Sequence, residues 1–224
     1  EYKSEDGYFH MKAPNGLKGV DYTFFKSTHT GTETMIIAAV LARGKTILRN
    51  AAEEPEIDEL INLLIQMGAK ITKKEKRIIE IEGVKKLNGT RFKVGPDRNE
   101  AVTLAVAAII TKGDVLIKGI EKSDLSEFLK KMEEIGAGVE KKENGIRFFY
   151  KQELIAADIE TSIFPGFMTD WQGPWAVLMT QAKGTSVIHE RVYESRFGYA
   201  EELAKMGASI ELFNPEVKNP SEFY

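Results

Sequence analysis

The sequence predicts an α+β (α/β) protein in which repeated βαβαββ units gather around buried helices. Three stretches, residues 32–71, 100–139 and 170–210, share one pattern with a period of about 70 residues. Each contains an alanine-rich apolar segment that ends at a glycine, and a second glycine follows at a similar distance. The period exceeds the roughly 20–50 residues of solenoid repeats, so a closed arrangement is favoured over a solenoid.

The first helix of each unit is predicted from its apolar segment. These segments span 35–42, 104–110 and 176–182, and they are followed by Gly44, Gly113 and Gly184. Glycine suits the left-handed backbone conformation that commonly ends a helix. A helix with so little polar surface must be enclosed, so we expect the apolar helices of several units to gather around one axis.

Strands and a second helix complete each unit. Strands are predicted before and after the apolar helix at 20–25, 90–94 and 158–163, and at 46–48, 115–117 and 186–188. Apolar residues at helical spacing predict an amphipathic helix from Ile57 to Ile65 and another from Leu125 to Met132. Extended segments are predicted to close the units at 69–72, 77–82, 139–141, 146–150 and 209–212.

Composition and charge limit the classes of function. The 224 residues suffice for one large domain or two of about 100 residues each. The net charge of −3 is spread along the chain, so neither nucleic acid nor an anionic membrane is an expected partner. Cysteine is absent and the three histidines stand far apart, so no metal site is predicted. No apolar run reaches the roughly 20 residues of a membrane span, and a cytoplasmic protein is expected.

Five short motifs follow one another along the chain: HTGTET (29–34), AAEEPEI (51–57), GPDRNE (95–100), FMTDWQ (167–172) and VYESRF (192–197). In this order they resemble the UDP-N-acetylglucosamine branch of the enolpyruvyl transferase family, from about residue 16 to residue 210. The shikimate branch (3-phosphoshikimate 1-carboxyvinyltransferase) is the nearest alternative. It typically has Lys-Glu-Ser-Asp-Arg where this chain reads YESRF, and it lacks the Glu-Pro-Glu segment seen in AAEEPEI.

The resemblance implies a two-domain enzyme, each domain an inside-out α/β barrel of three βαβαββ units that closes over the substrates. On that plan, residues 1–95 are the last third of the first domain and residues 96–224 are two units of the second. GPDRNE would be the strand that crosses between them, with a hinge near Pro96. The chain begins with Glu1 rather than Met, and a processed or truncated N-terminus is expected.

About half of the family's chain is expected to lie outside this sequence. The outside part includes the loop with a cysteine or aspartate general acid, a Lys-Asn pair that contacts phosphoenolpyruvate, and the final unit. The apolar helices should then lack part of their packing, and the chain should be a fragment or a shortened relative that is inactive alone. Self-association or complementation by the missing units would complete it. The alternatives are a non-catalytic UDP-sugar-binding module and a purely structural protein.

The resemblance also implies the reaction and its central residues. Enolpyruvyl would pass from phosphoenolpyruvate to the 3-hydroxyl of UDP-N-acetylglucosamine in peptidoglycan synthesis, without a cofactor. Asp170 would take the hydroxyl proton, although an aspartate there could also simply cap a helix. Arg196 would clamp a phosphate or carboxylate of phosphoenolpyruvate, although it could also be a surface arginine. Val192 would line the uracil pocket through its backbone, or else belong to the core.

Further substrate contacts are implied at the start of the first apolar helix. Lys26, His29, Thr30 and Gly31 would bind the UDP pyrophosphate and uridine, because a helix start attracts anions. The family more often has Ser-Val-Gly in place of 29–31, so His29 is a departure. It could donate to phosphate or be a turn residue.

Two acidic motifs have both functional and structural interpretations. Glu54 and Glu56 would lie near the reacting centre, or would favour the dipole at the start of the next helix. Asp97 and Arg98 would belong to a hinge network rather than to the reacting groups. Trp171 and Trp175 are predicted to pack in the core.

Overall fold

The computed structural model describes residues 2–5 and 7–214, with side chains from residue 7 onward. The chain divides into two compact units, Glu1–Val94 and Gly95–Tyr224. Each unit has its own cluster of buried hydrophobic residues. Within the described residues, none of the helices combines the length and apolar character that crossing a bilayer requires.

Among the described residues of the first unit, two helices and six strands are formed. They are β1 (Tyr2–Glu5), β2 (Tyr8–Met11), β3 (Asp21–Thr23), α1 (His29–Ala39), β4 (Lys45–Arg49), α2 (Pro55–Gln66), β5 (Lys70–Glu75) and β6 (Ile78–Glu82). β1 and β2 form an antiparallel hairpin. The other strands form one sheet in the order β3-β4-β6-β5, in which β3 runs parallel to β4 and the remaining pairs are antiparallel.

Alternation and helical spacing decide which side chains enter the first core. Ile79 and Ile81 of β6 are buried, whereas Glu80 between them points away. Ile57 and Ile61 of α2 lie one turn apart and are both buried, and Pro55 occupies the first turn, where its missing N–H costs no hydrogen bond. The alternation and the helical spacing of apolar residues, which predicted these elements, therefore also determine which side chains are buried.

In the second unit, four helices and five strands lie within residues 95–214. They are α3 (Arg98–Ile110), β7 (Asp114–Lys118), α4 (Ser126–Glu134), β8 (Gly138–Lys142), β9 (Gly145–Phe149), β10 (Ile159–Glu160), α5 (Gln172–Met179), β11 (Ile188–His189) and α6 (Gly198–Lys205). A three-stranded antiparallel sheet has the order β7-β9-β8, and β10 pairs in parallel with β11. Short 3₁₀ turns precede α4 and α5 at Lys122–Leu125 and Thr169–Trp171.

An aromatic cluster forms the centre of the second core. Trp171 and Trp175 are 2% and 0% exposed, which confirms their predicted packing role. Phe128 of α4 contacts both tryptophans and Phe167, with ring centroids 6.0–6.5 Å apart. The apolar helices α3 and α5 pack directly against each other. Two of the predicted buried helices therefore do share one core.

Within each unit, the apolar helices remain incompletely covered. Ile36 of α1 is fully buried, but its neighbour Ile37 is 56% exposed. In α3, Val102 is fully buried while Leu104 is 52% exposed. The expectation that further units would cover these side chains stays a prediction.

Four predicted strands are wrong or displaced. Residues 90–94 form no strand, and GPDRNE does not cross as a strand, because α3 already begins at Arg98. The Asp97 carboxylate accepts hydrogen bonds from the N–H groups of Asn99 (2.7 Å) and Glu100 (3.2 Å), and this cap starts the helix. Residues 209–212 are not a strand either, and 186–188 shifts to Ile188–His189. A strand needs a paired neighbour, which local composition does not reveal.

Candidate active site

Two predicted site residues that lie 26 positions apart in the sequence meet in the second unit. Asp170 sits in the 3₁₀ turn before α5, and Arg196 sits in the segment before α6. Arg196 Nη2 donates to Asp170 Oδ1 over 2.6 Å, and Arg196 Nη1 donates to Thr169 Oγ1 over 3.1 Å. Both charged side chains are a little over one third exposed, so the ion pair is accessible to a ligand.

The ion pair borders a small cavity of about 220 Å³, lined by Thr169, Asp170, Gln172, Gly173, Arg196 and Tyr199. This volume is below the roughly 300–1,000 Å³ of sites that enclose a drug-sized ligand. A phosphate, a carboxylate or one sugar hydroxyl would fit. A carboxylate and a guanidinium on its wall provide a proton acceptor and an anion-binding fork.

Glu190 joins these segments, although no motif in the sequence predicted it. Its carboxylate accepts hydrogen bonds from the hydroxyls of Thr161 and Thr169, the amide of Gln172, and the backbone N–H groups of Val192 and Tyr193. Glu190 directly follows β11 and Thr161 directly follows β10, an arrangement that only the structure shows, because the predicted strands 158–163 and 186–188 end elsewhere. These strands are parallel, so both residues lie at the same carboxyl edge.

Tyr199 closes the far side of the cavity, and its hydroxyl donates to Gln172 Oε1 over 2.8 Å. Burial raises the pKa of the Tyr199 phenol from 10.0 to about 12, and the charge of Glu190 adds to the rise. The folded chain therefore favours the neutral phenol. Its contribution to the free energy of unfolding is fully present below pH 10 and is lost between pH 10 and about 12.

An alkaline titration of tyrosinate absorbance tests this shift. Subtracting the absorbance curve of the Tyr199→Phe chain from that of the wild-type chain should leave the titration of one tyrosine, centred near pH 12. We also expect the substitution to remove part of the loss of stability between pH 10 and about 12. A difference curve centred near pH 10 would contradict the burial of this phenol.

The predicted pyrophosphate contacts cluster at the start of α1 in the first unit. Thr28 caps the helix, and its Oγ1 accepts from the Gly31 N–H over 3.3 Å. A side chain at Gly31 would come within 2.5 Å of the Thr28 methyl carbon, so the cap requires glycine there. His29 Nε2 lies 3.5 Å from Glu33 Oε1, while Lys26 and Thr30 are exposed. Their ligand roles stay predictions.

A buried threonine ties this helix to the AAEEPEI motif. Thr32 is fully buried, donates to the Thr28 carbonyl over 2.7 Å and accepts from the Ala52 N–H over 3.0 Å. Two motifs that are separate in the sequence are thus joined by one hydroxyl.

Removing that hydroxyl should loosen the first unit. We expect Thr32→Val to lower its free energy of unfolding by about 1–3 kcal/mol, because the Ala52 N–H is left buried without an acceptor. Hydrogen exchange at the Ala52 amide should accelerate. Thr34→Val is the matched control, since Thr34 is exposed on the same helix. Equal exchange rates in the two variants would argue against the bridge.

The acidic motifs have clear structural positions. Glu54 is 9% exposed and precedes α2, while Glu56 lies in its first turn. Asp97 caps α3, as described above. Arg98 is 3% exposed, and its guanidinium lies 5.2 Å from the Phe164 ring centroid. The proposed roles of these four residues near the reacting centre or in a hinge stay predictions. Among the described residues, no group of three His, Asp or Glu side chains could hold a metal ion.

Comparison with known proteins gives a consistent result. The family model for EPSP synthase (3-phosphoshikimate 1-carboxyvinyltransferase) matches residues 1–223. The UDP-N-acetylglucosamine 1-carboxyvinyltransferase of Protochlamydia amoebophila is 46% identical over 94% of this chain and 45% of its own length. The enzyme of Bartonella henselae is 46% identical over 93% of this chain and 49% of its own length. The enzyme of Beijerinckia indica is 47% identical over 93% of this chain and 48% of its own length. The chain spans about half the length of these curated relatives.

A solved structure shows the same fold. The enolpyruvyl transferase NikO from Streptomyces tendae superposes with a TM-score of 0.77 at 19% identity, over 90% of this chain and 51% of that one. The predicted fold class is therefore confirmed, and so is the predicted resemblance to the UDP-N-acetylglucosamine branch. By the family match over residues 1–223, the chain belongs to the enolpyruvyl (1-carboxyvinyl) transferase family that the EPSP synthase model describes.

Proposed function

We propose that the chain supplies one half of an enzyme that transfers enolpyruvyl from phosphoenolpyruvate to the 3-hydroxyl of UDP-N-acetylglucosamine. This reaction would serve peptidoglycan synthesis in the cytoplasm. The observation that carries the proposal is the 2.6 Å pair between Asp170 and Arg196 at the small cavity. The names of the curated relatives support the choice of the sugar nucleotide.

The geometry suggests how the pair would act. Asp170 would accept the proton of the 3-hydroxyl, whose oxygen then bonds to C2 of phosphoenolpyruvate. Arg196 would keep its contacts with Asp170 and Thr169 and would donate from its other guanidinium N–H groups to an anionic group of phosphoenolpyruvate. The C2–O bond to phosphate then breaks, and inorganic phosphate leaves. C3 of phosphoenolpyruvate gains a proton in the addition and loses one in the elimination. A residue outside this chain would donate the first proton and accept the second.

Each unit, taken by itself, offers candidate contacts to the sugar nucleotide. The N-terminal end of α1, with the exposed Lys26 before it, offers a lysine charge and backbone N–H groups to the pyrophosphate, and the partly buried His29 lies beside them. In the second unit, the Val192 N–H already donates to Glu190 over 2.7 Å. The Val192 carbonyl is therefore the backbone group that we assign to the uracil N3–H. Residues 1–95 and 96–224 would be the last third of one domain and two units of the other.

A chimeric enzyme tests the function directly. We would replace the matching half of the Bartonella henselae relative with this chain and measure phosphate release from the two substrates. The proposal predicts turnover that depends on both substrates, with the unaltered relative as the positive control. A chimera that folds and binds UDP-N-acetylglucosamine but releases no phosphate would contradict it.

The chain alone should bind without turning over. The family's general acid and its Lys-Asn pair are assigned to segments that this sequence does not contain, so the developing charges would be poorly stabilised. We therefore expect no phosphate release above background from UDP-N-acetylglucosamine and phosphoenolpyruvate. Turnover by the purified chain would show that three units suffice, and would overturn the assignment of catalytic groups to the missing half.

A further inference from the structure

The Glu190 carboxylate is fully occupied by the protein itself. Oε1 accepts from Thr161 Oγ1 (2.8 Å), Val192 N (2.7 Å) and Tyr193 N (2.9 Å), and Oε2 accepts from Thr169 Oγ1 (2.8 Å) and Gln172 Nε2 (2.6 Å). A carboxylate offers about four lone-pair positions, so five donors leave no capacity for a ligand. Glu190 is therefore placed to hold protein segments together rather than to touch substrate.

The segments that it holds carry the two candidate catalytic side chains. Through Thr169 and Gln172 it is bonded to the turn that contains Asp170. Through two successive backbone N–H groups it is bonded to the start of the segment that ends in Arg196. Ser195, the residue before Arg196, has a φ of 59°, in the left-handed region that non-glycine residues rarely adopt. Such a backbone persists only where its surroundings hold it.

A hydroxyl links Glu190 to Arg196 in a fixed direction. Arg196 Nη1 donates to Thr169 Oγ1 over 3.1 Å, and Thr169 Oγ1 lies 2.8 Å from Glu190 Oε2. An ionised carboxylate can only accept, so the single hydroxyl proton of Thr169 points to Glu190. The lone pairs of that hydroxyl then face Arg196. The charge on Glu190 thus makes the Thr169 hydroxyl an acceptor toward Arg196, and this hydrogen bond helps to keep Arg196 beside Asp170.

We propose that Glu190 is a positioning residue that fixes Arg196 against Asp170 and so preorganises the site. The part of this inference that concerns substrate rests on the proposed function, whereas the part that concerns Arg196 does not. Charged groups that are already in place bind a ligand more tightly, and stabilise a transition state better, than groups that must first be ordered.

The first test needs no ligand. In the wild-type chain, NMR signals of the Arg196 guanidinium should show hindered rotation, because both terminal nitrogens are bonded. Glu190→Gln keeps the shape but replaces one acceptor oxygen with a donor, so rotation should become fast. Glu202→Gln is the matched control, since it removes an exposed carboxylate paired with Lys205 in the same unit. Unchanged Arg196 signals in a folded Glu190→Gln chain would overturn the proposal.

The second test separates this inference from the proposed function. Calorimetry with UDP-N-acetylglucosamine should show binding weakened about tenfold or more by Glu190→Gln, because Glu190 also holds the turn of Asp170 and the N–H of Val192, which are the proposed contacts to the sugar hydroxyl and the uracil. Binding should be unchanged by Glu202→Gln. If the wild-type chain does not bind the sugar nucleotide but Glu190→Gln still frees Arg196, the proposed function fails and the positioning role stands. If wild-type and Glu190→Gln chains bind equally, the positioning role fails and the proposed function stands.

A pair of variants at Thr169 decides the matter if Glu190→Gln does not fold. Thr169→Val removes the hydroxyl link and should free the Arg196 guanidinium, whereas Thr169→Ser keeps the hydroxyl and should restore hindered rotation. Hindered rotation that survives in Thr169→Val would overturn the proposal, because Arg196 would then be held without the link to Glu190.

Discussion

Replacing Asp170 with alanine in the chimeric enzyme is expected to lower kcat by about 10²–10⁴-fold, the usual contribution of a positioned general base. Without the carboxylate, no group at the cavity accepts the 3-hydroxyl proton, and Arg196 loses its 2.6 Å partner. Asp170→Asn should lower kcat to a similar extent, because the amide is no base. It should change KM less than alanine does, because the amide oxygen can still accept a hydrogen bond.

The chain offers a matched control for this experiment. Asp114 forms an ion pair with Arg147 over 2.5 Å in the same unit, and the Asp114 side chain is 51% exposed. Asp114→Ala therefore removes a comparable Asp–Arg pair that lies outside the cavity lining. Steady-state phosphate release from both variants makes the comparison. If Asp170→Ala were no slower than Asp114→Ala, Asp170 would not be the proton acceptor.

The second large effect is expected in the core of the second unit. Phe128→Ala should lower its free energy of unfolding by about 3–5 kcal/mol, because a fully buried ring is lost and a cavity is left among aromatic neighbours. Urea titrations followed by tryptophan fluorescence report on this unit alone, since both tryptophans of the chain, Trp171 and Trp175, belong to it.

Phe213→Ala provides the corresponding control. Phe213 lies in the same unit but is 61% exposed, so its removal should shift the urea midpoint little. A Phe128→Ala midpoint close to that of Phe213→Ala would mean that the aromatic cluster does not stabilise the unit as its burial indicates.

Much of the fold followed from periodicity, and the errors have a common cause. The helices α1 to α5 were predicted because apolar spacing and helix-ending glycines are local signals. The strand at 90–94 was wrong because a strand depends on neighbours that the local sequence does not specify. One error was avoidable: Asp97 and Glu100 stand three residues apart, as in a capping box, which signals the start of a helix.

The candidate site was predictable to a lesser degree. Asp170 and Arg196 were chosen from two separate motifs, and the structure shows that they meet. Glu190 was missed because its partners are distributed from Thr161 to Tyr193, and no local pattern marks a carboxylate with five donors. Thr32 was missed for the same reason, because its partner Ala52 lies 20 residues away. Contacts that join distant segments appear only once the chain is folded.

A calorimetric titration of the purified chain with UDP-N-acetylglucosamine, with shikimate 3-phosphate in a parallel titration, tests the central claim most directly. Saturable binding of the sugar nucleotide in the micromolar to low-millimolar range, with no binding of shikimate 3-phosphate, is the result we predict. Absence of heat at high UDP-N-acetylglucosamine, or equal binding of the two ligands, would contradict the claim that this chain carries a working half of a UDP-sugar site.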